Sequence, residues 1–498
     1  MKLYSKMALA KRKRKCAALL KNDHHCGVAP TIASAGIRYE VSTRVSTIAC
    51  GGIGILLRLM KRVGLPETIN ESLRLLKIHK PYFESDHILT IMLNILNGGD
   101  CLDDIELIRN DPAFAHAVGV DRIPDPMTVG DFLRHFGYTD QITLLEILAR
   151  LNRRAWKLGG CETEDAILDT DGTIQQTFGE KKEGMALSYK GIWGFAPLVI
   201  TEATTGAHVC IVNRPGNHTS HTDAAFWIDR AIESTRHSFR NIYLRGDTAF
   251  CLTHKFDDWT ERGVRFAFSC PAHQNLVKIA ENLPAAKWRT FERHRKSRSK
   301  VSGRNYKMEE VIERGYRNLR LQTEHIQEFD YQPTRCRRNY RVLVVRKTIR
   351  VERGQRRLFN EHRYFFYLTN ITDASADSLV RFALRRCNHE NRIEQLKNGV
   401  HALRMPCADF QANWAYMIIL AMTWNLKIWL GLMIPDNDSR DRVIRMEFKN
   451  FLNRLVNIPC QIIRTGRQVI YRFLSYSDWI PHLFAVFRKI ATAKSLSI

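Results

Sequence analysis

Apolar residues recur at helical spacing through the first third of the chain. Ile55, Leu56, Leu57, Leu59 and Met60 form one group, Leu73, Leu75 and Leu76 a second, and the run from Ile88 to Leu96 a third. Apolar positions three and four apart line one face of a helix. Ser85 and Asp86 offer a start for the third segment, and Gly98-Gly99 a stop. Pro124 and Pro126 then predict a loop before another helix near Thr128.

Beyond Gly159-Gly160 the pattern changes. Ala166-Ile167-Leu168 leads into Asp169-Thr170-Asp171-Gly172-Thr173. Residues 192–201 and 208–212 read as strands around a turn at Thr205-Gly206. A helix over 220–234 follows, then short strands at 241–244 and 266–268. Strands with turn signals, then alternating helix and strand, predict a mixed α/β sheet. Residues 271–370 lack long helical patterns and end in strand-like runs at 340–345 and 364–368. Helix returns over 376–398, closed by Asn398-Gly399, and 401–498 is mostly helical. The expected organisation is a loosely ordered basic arm (1–40) and a helical region (41–160). The first part of an α/β core (161–270), a basic β-rich insertion (271–370), a core helix (371–400) and a C-terminal helical region (401–498) complete it.

Charge sharpens this picture. The 498 residues carry 76 Lys and Arg against 51 Asp and Glu, a net +25. So basic a chain seeks polyanions, nucleic acid before an anionic membrane. Between Lys287 and Arg357 there are 22 basic and 8 acidic residues, which concentrates over half of the excess in the insertion. The twelve cysteines are scattered, with no C-x-x-C pair, which argues against a zinc module or a disulfide scaffold and fits a reducing cytoplasm. The greasiest stretch, 414–433, contains Thr423, Asn425 and Lys427, so it reads as a buried core helix and not a membrane span.

Several signals are weaker than they look. Gly51-Gly52-Ile53-Gly54 lacks the third glycine of a dinucleotide loop, and there is no phosphate-binding G-x-x-x-x-G-K-[ST] or hydrolase G-x-S-x-G motif. His218-Thr219-Ser220-His221-Thr222-Asp223 reads as a loop capped by Ser220 or Thr222 ahead of a helix. His24-His25-Cys26 has no partner at zinc spacing. Trp414 and Trp424 read as core residues.

Candidate chemistry lies in acids on three elements. Asp169 and Asp171, two apart on a strand, point to one side. Asp247 ends a different strand beside Gly246. Arg386, Glu390 and Lys397 fall within about 40° of one another on a continuous helix, in an apolar stripe with Leu379, Ala383 and Ile393. Three converging carboxylates would repel one another unless cations joined them, and hard oxygen ligands suit Mg²⁺. A pair of such ions can activate an attacking oxygen and stabilise a leaving one.

With these residues the chain resembles DDE transposases of bacterial insertion sequences, most closely the insertion-sequence thirteen-eighty group within the larger IS4-like set. The resemblance spans about 45–480. It is carried by Gly51-Gly52, Leu168-Asp169-Thr170-Asp171-Gly172-Thr173, Tyr189-Lys190-Gly191, Gly194-Phe195 with Pro197-Leu198, Arg214-Pro215-Gly216-Asn217, Leu244-Arg245-Gly246-Asp247 with Phe250, and Glu390 to Lys397. The helix signature Tyr-x2-Arg-x3-Glu-x6-Lys is met by Arg386, Glu390 and Lys397, while its Tyr position holds Ala383. In relatives that Tyr is thought to contact transposon-end DNA.

The resemblance implies an α/β, RNase H-like catalytic core interrupted by the β-rich insertion, flanked by helical N- and C-terminal regions. It implies Asp171, Asp247 and Glu390 as catalytic metal ligands, with Asp169 in reserve for the first position, and Arg386 and Lys397 on DNA phosphates. Mg²⁺, with Mn²⁺ as a substitute and two ions in the site, would serve cleavage at terminal inverted repeats and strand transfer into target DNA. The implied partners are double-stranded DNA and a second copy of the chain, in the bacterial nucleoid. Alternatives are an RNase H-like nuclease or resolvase without strand transfer, and a DNA-binding relic without catalysis.

Overall fold

The structure is a computed structural model. It describes residues 45–492 except 162–163, 293–308, 313–316, 354–355 and 467, together with positions 10, 11, 13–15, 17 and 18. Most of the expected basic arm and the most basic part of the insertion lie outside the described residues. The chain divides into two compact units, residues 1–161, 181–183 and 394–498 in one, and 162–180 with 184–393 in the other.

The first unit is built around helix Phe410–Met433. Every residue from Ala412 to Met433 is buried, as expected for a helix that is apolar all round. It packs on helices Glu84–Leu96, Pro126–Arg134, Tyr138–Gly159 and Asn437–Arg445. The helix is long and apolar enough to cross a membrane, yet its whole apolar window is buried inside the protein. Its polar residues have partners there. Asn425 and the indole N–H of Trp429 both donate to Asn152 Oδ1, at 3.0 and 2.9 Å. Lys427 Nζ donates to the Ile444 carbonyl at 2.9 Å and lies over the Trp424 ring. Trp414 and Trp424 are buried core residues.

The Gly51-Gly52 pair serves packing. Gly51 and Gly52 N–H donate to the carbonyls of Ile458 and Val456. A Cβ on Gly52 would stand 1.9 Å from the Leu455 carbonyl oxygen, so only glycine allows this approach. Beside it, Ser46–Ile48, Cys460–Thr465 and Gln468–Phe473 form a three-stranded antiparallel sheet.

The second unit contains a ten-stranded mixed sheet. Its main strands and helices in chain order are β1 (Asp165–Gly172), β2 (Leu198–Glu202), β3 (His208–Val212), α1 (Ala224–Arg236), β4 (Asn241–Gly246), β5 (Arg265–Cys270), β6 (Arg317–Tyr331), β7 (Tyr340–Arg353), β8 (Arg356–Thr369), α2 (Ala376–Leu384) and α3 (Cys387–Glu394). The order across the sheet is β6-β7-β8-β5-β4-β1-β2-β3. Strands β1, β2 and β3 pair antiparallel, while β4 joins β1 and β5 joins β4 in parallel. The long antiparallel strands β6, β7 and β8 continue the same sheet, because β8 pairs with β5 through Phe366↔Cys270 to Thr369↔Ala267.

Strands β2 and β3 are buried along their whole length, as a covered central sheet requires. Leu379, Val380 and Ala383 of α2 pack with Val345, Tyr367 and Ile326 of the long strands. The position of the signature Tyr is therefore a small residue inside an apolar cluster.

Three expectations need correction. The helix read over 376–398 is broken: α2 ends at Leu384, α3 starts at Cys387, and a π-helical turn, Gln395–Gly399, follows Glu394. A single continuous stripe carrying Arg386, Glu390 and Lys397 does not exist. The helix expected from Ser220 begins at Ala224, and neither Ser220 nor Thr222 caps it. Instead buried Arg214 gathers that loop, its Nη1 donating to the Ser220 and Thr222 carbonyls and its Nε to that of Ala196. Finally, Cys251 and Cys270, 5.8 Å apart at Cα, form a disulfide, where the scattered cysteines argued against a disulfide scaffold and fitted a reducing cytoplasm.

Candidate active site

The parallel register of β1 and β4 aligns Asp169 with Arg245 and Thr170 with Gly246. Asp171 and Asp247 come next on each strand, side by side where the ladder ends. Gly246 is required just before Asp247, because a Cβ there would meet the Phe250 Cβ at 2.7 Å. Asp247 caps the short turn Thr248–Phe250, its Oδ1 accepting from Ala249 N–H at 2.9 Å.

Asp171 keeps only 15% of its side-chain exposure. Burial pushes its carboxyl from 3.8 up to about 6, against the pull of Arg386 and with a further push from Asp247. Arg386 Nη1 donates to Asp171 Oδ2 at 2.8 Å. This arginine, expected on DNA phosphate, spends its charge on the first candidate ligand. It lies in the break between α2 and α3.

Asp169 has a different environment. It is fully buried, and its carboxylate takes two bonds from Arg245, Nε to Oδ1 at 2.6 Å and Nη2 to Oδ2 at 2.8 Å. Arg392 Nη1 stands 3.8 Å from the same group. Arg245 also donates through Nη1 to the Phe382 carbonyl near the end of α2, and its guanidinium stacks 4.8 Å from the Phe382 ring centre. Arg392 donates to Thr201 Oγ1 and the Ala203 carbonyl. His389 Nδ1 lies 2.8 Å from Thr201 Oγ1.

Glu390 sits on α3 and is exposed. Lys397 lies on the Gln395–Gly399 turn, in the other unit. Among the described residues, three candidate ligands have donor atoms all within 4.8 Å of one another at Asp100, Cys101 and Asp104, an unpredicted cluster in the first unit. Asp171, Asp247 and Glu390 are not so tightly drawn together. Sequence reasoning missed Arg245, Arg392, His389 and Thr201. A signal for Arg245 was present, since a charge between Leu244 and Gly246 on an apolar strand must find a buried partner.

The site thus brings two neighbouring strand-end carboxylates, one of them desolvated, into the same unit as Glu390. The chain belongs to the family of the transposase DDE domain group 1, whose model matches residues 44–495. It is thus a DNA transposase, of a family that generally uses a divalent metal. No curated protein gives a significant match. Among solved structures, a piggyBac transposase synaptic complex with hairpin DNA is 11% identical, over 80% of this chain and 81% of that one, with a TM-score of 0.32. That likeness is too distant to carry detail to this chain.

Proposed function

We propose that the protein is the transposase of an insertion sequence of the thirteen-eighty group, and that β1 to β5 with α1 form an RNase H-like core. The order β3-β2-β1-β4-β5, three antiparallel strands followed by two parallel ones, supports this reading. The placing of Asp171 and Asp247 one residue beyond the last rung of the β1–β4 ladder, where their charges interact, carries it. These two and Glu390 would hold Mg²⁺, as two ions, or Mn²⁺ in its place. Bound there, the cations supply the positive charge that lowers the cost of the phosphoryl transition state.

The fit is chemical. A desolvated carboxylate next to another acid is costly without a cation, and in the free protein Arg386 meets that need at Asp171. Both oxygens of Asp169 are taken by Arg245, which favours Asp171 over it as first ligand.

The reaction at an element end begins with attack by a water oxygen on phosphorus. The bond to the 3′ oxygen breaks and a 3′-hydroxyl is freed. That hydroxyl then attacks a phosphorus of target DNA, displacing the target's own 3′ oxygen. Arg386 would hold a phosphate during these steps by exchanging its carboxylate partner for one, and Lys397 would hold phosphate on its own unit. The basic insertion and the N-terminal helices would lie along duplex DNA, and a homodimer would pair the two ends in the bacterial nucleoid.

The test is a Mg²⁺ reaction on labelled DNA bearing the element's own ends, with a target plasmid, comparing wild type with Asp247→Ala. Joined products from wild type alone are expected. Cleavage without joining would make the protein a nuclease or resolvase. DNA binding by both proteins without cleavage, in Mg²⁺ and Mn²⁺ alike, would make it a relic.

A further inference from the structure

We infer that the buried group Asp169, Arg245 and Arg392, tied through Thr201 to His389, is the frame that fixes the three metal-site carboxylates relative to one another. The inference rests on the assignment of Asp171, Asp247 and Glu390 above. Each of those acids stands two residues from a member of the group: Asp169 precedes Asp171, Arg245 precedes Asp247, and Arg392 follows Glu390. On a strand, residues two apart share a side. The Asp169–Arg245 ion pair is therefore a rung of the same ladder, on the same side of the sheet, directly behind the acids.

The helix obeys a different periodicity. His389 and Arg392 are three apart, so they share a face, and both reach Thr201 of β2. Glu390 is turned about 100° from His389 and about 200° from Arg392, which leaves it on the open side. It is exposed while His389 is fully buried. Arg245 extends the frame to α2 through the Phe382 carbonyl, next to the break that positions Arg386. One buried carboxylate thus joins β1, β4 and α3, the elements that bear the acids.

Stability alone does not account for this group. Apolar side chains of similar volume often replace a buried ion pair without loss, whereas fixing a unique arrangement is the better attested use of such groups. A merely structural cluster would also have no reason to flank all three acids.

The experiment compares full-length wild type, Thr201→Val, Thr201→Ser, Arg392→Gln and Asp171→Ala. Thr201→Val removes the hydroxyl with little change in volume and strands no charge. Mn²⁺ binding is measured by electron paramagnetic resonance, together with end-cleavage rate, DNA affinity and thermal unfolding. Thr201→Val is expected to bind Mn²⁺ more weakly and cleave about tenfold more slowly, with unchanged DNA affinity and a still cooperative melting transition, lowered in temperature by the buried His389 nitrogen left unpaired, and Thr201→Ser to restore both losses. Arg392→Gln should lose about 10–100-fold in metal affinity or rate, the range for groups that orient metal ligands.

Wild-type Mn²⁺ affinity and rate in folded Thr201→Val would overturn the inference, even if Arg392→Gln failed to fold. So would failure of Thr201→Ser to restore them. If Asp171→Ala itself left Mn²⁺ binding intact, the metal-site assignment would be at fault. Silent Thr201 variants beside a defective Asp171→Ala would sink the frame alone.

Discussion

Replacing Asp171 with Asn should make the protein more stable at neutral pH while abolishing cleavage. The Asp171 carboxyl is held above its ordinary value first by burial, opposed by Arg386 and reinforced by Asp247. A carboxyl whose value is raised in the folded state favours folding when protonated. Its contribution is fully present below 3.8 and is lost as pH rises to about 6. The rise from 3.8 to about 6 corresponds to a penalty of about 3 kcal/mol at neutral pH, using 1.36 kcal/mol per pH unit. An amide of the same shape avoids that penalty. That penalty is already net of the attraction to Arg386, whose side chain keeps 17% exposure and so some access to water once its partner is neutral. The net gain should therefore be about 1–3 kcal/mol. The assay is urea unfolding of wild type and Asp171→Asn, without divalent metal, at a series of pH values. The two curves should coincide at acid pH and diverge between 3.8 and about 6. A difference that does not change with pH, or a variant less stable at neutral pH, would refute the reasoning.

Other expectations follow from the packing. Asn152→Ala leaves the donors of Asn425 and Trp429 buried without their acceptor, and should cost about 2–4 kcal/mol in urea unfolding. Gly52→Ala drives a Cβ against the Leu455 carbonyl and should cost about 2 kcal/mol or more, or prevent folding, while Gly466→Ala, with open space around it, should be near neutral. Binding to duplex DNA should weaken steeply with salt, with a log–log slope of about −5 or steeper, and a flat dependence would argue against the basic insertion as a backbone contact. Asp247→Ala should retain DNA affinity in a mobility-shift assay while losing Mg²⁺-dependent cleavage.

The composition and local patterns of the chain specified much of this protein. The mixed sheet, the buried helix over 410–433 and the strand-end positions of Asp171 and Asp247 were legible because each rests on periodicity or on a residue's immediate neighbours. The family motifs were local as well, and the match over 44–495 agrees with them. The choice between Asp169 and Asp171 was not local. Both acids share a side of β1, and only arginines approaching from other elements tell them apart: Arg245 and Arg392 at the fully buried Asp169, Arg386 alone at Asp171.

Spacing alone also misread the segment after Ala376. A helical projection assumes one unbroken helix, but backbone geometry at Arg385-Arg386 and the turn after Glu394 answer to what the side chains can reach: Asp171 for Arg386, Thr201 and Ala203 for Arg392. The sequence by itself determined which residues could be acids, strands and core. Tertiary structure decided which charges neutralise one another, because burial makes an unpaired charge costly and partners such as Asp171 and Arg386 lie 215 residues apart along the chain.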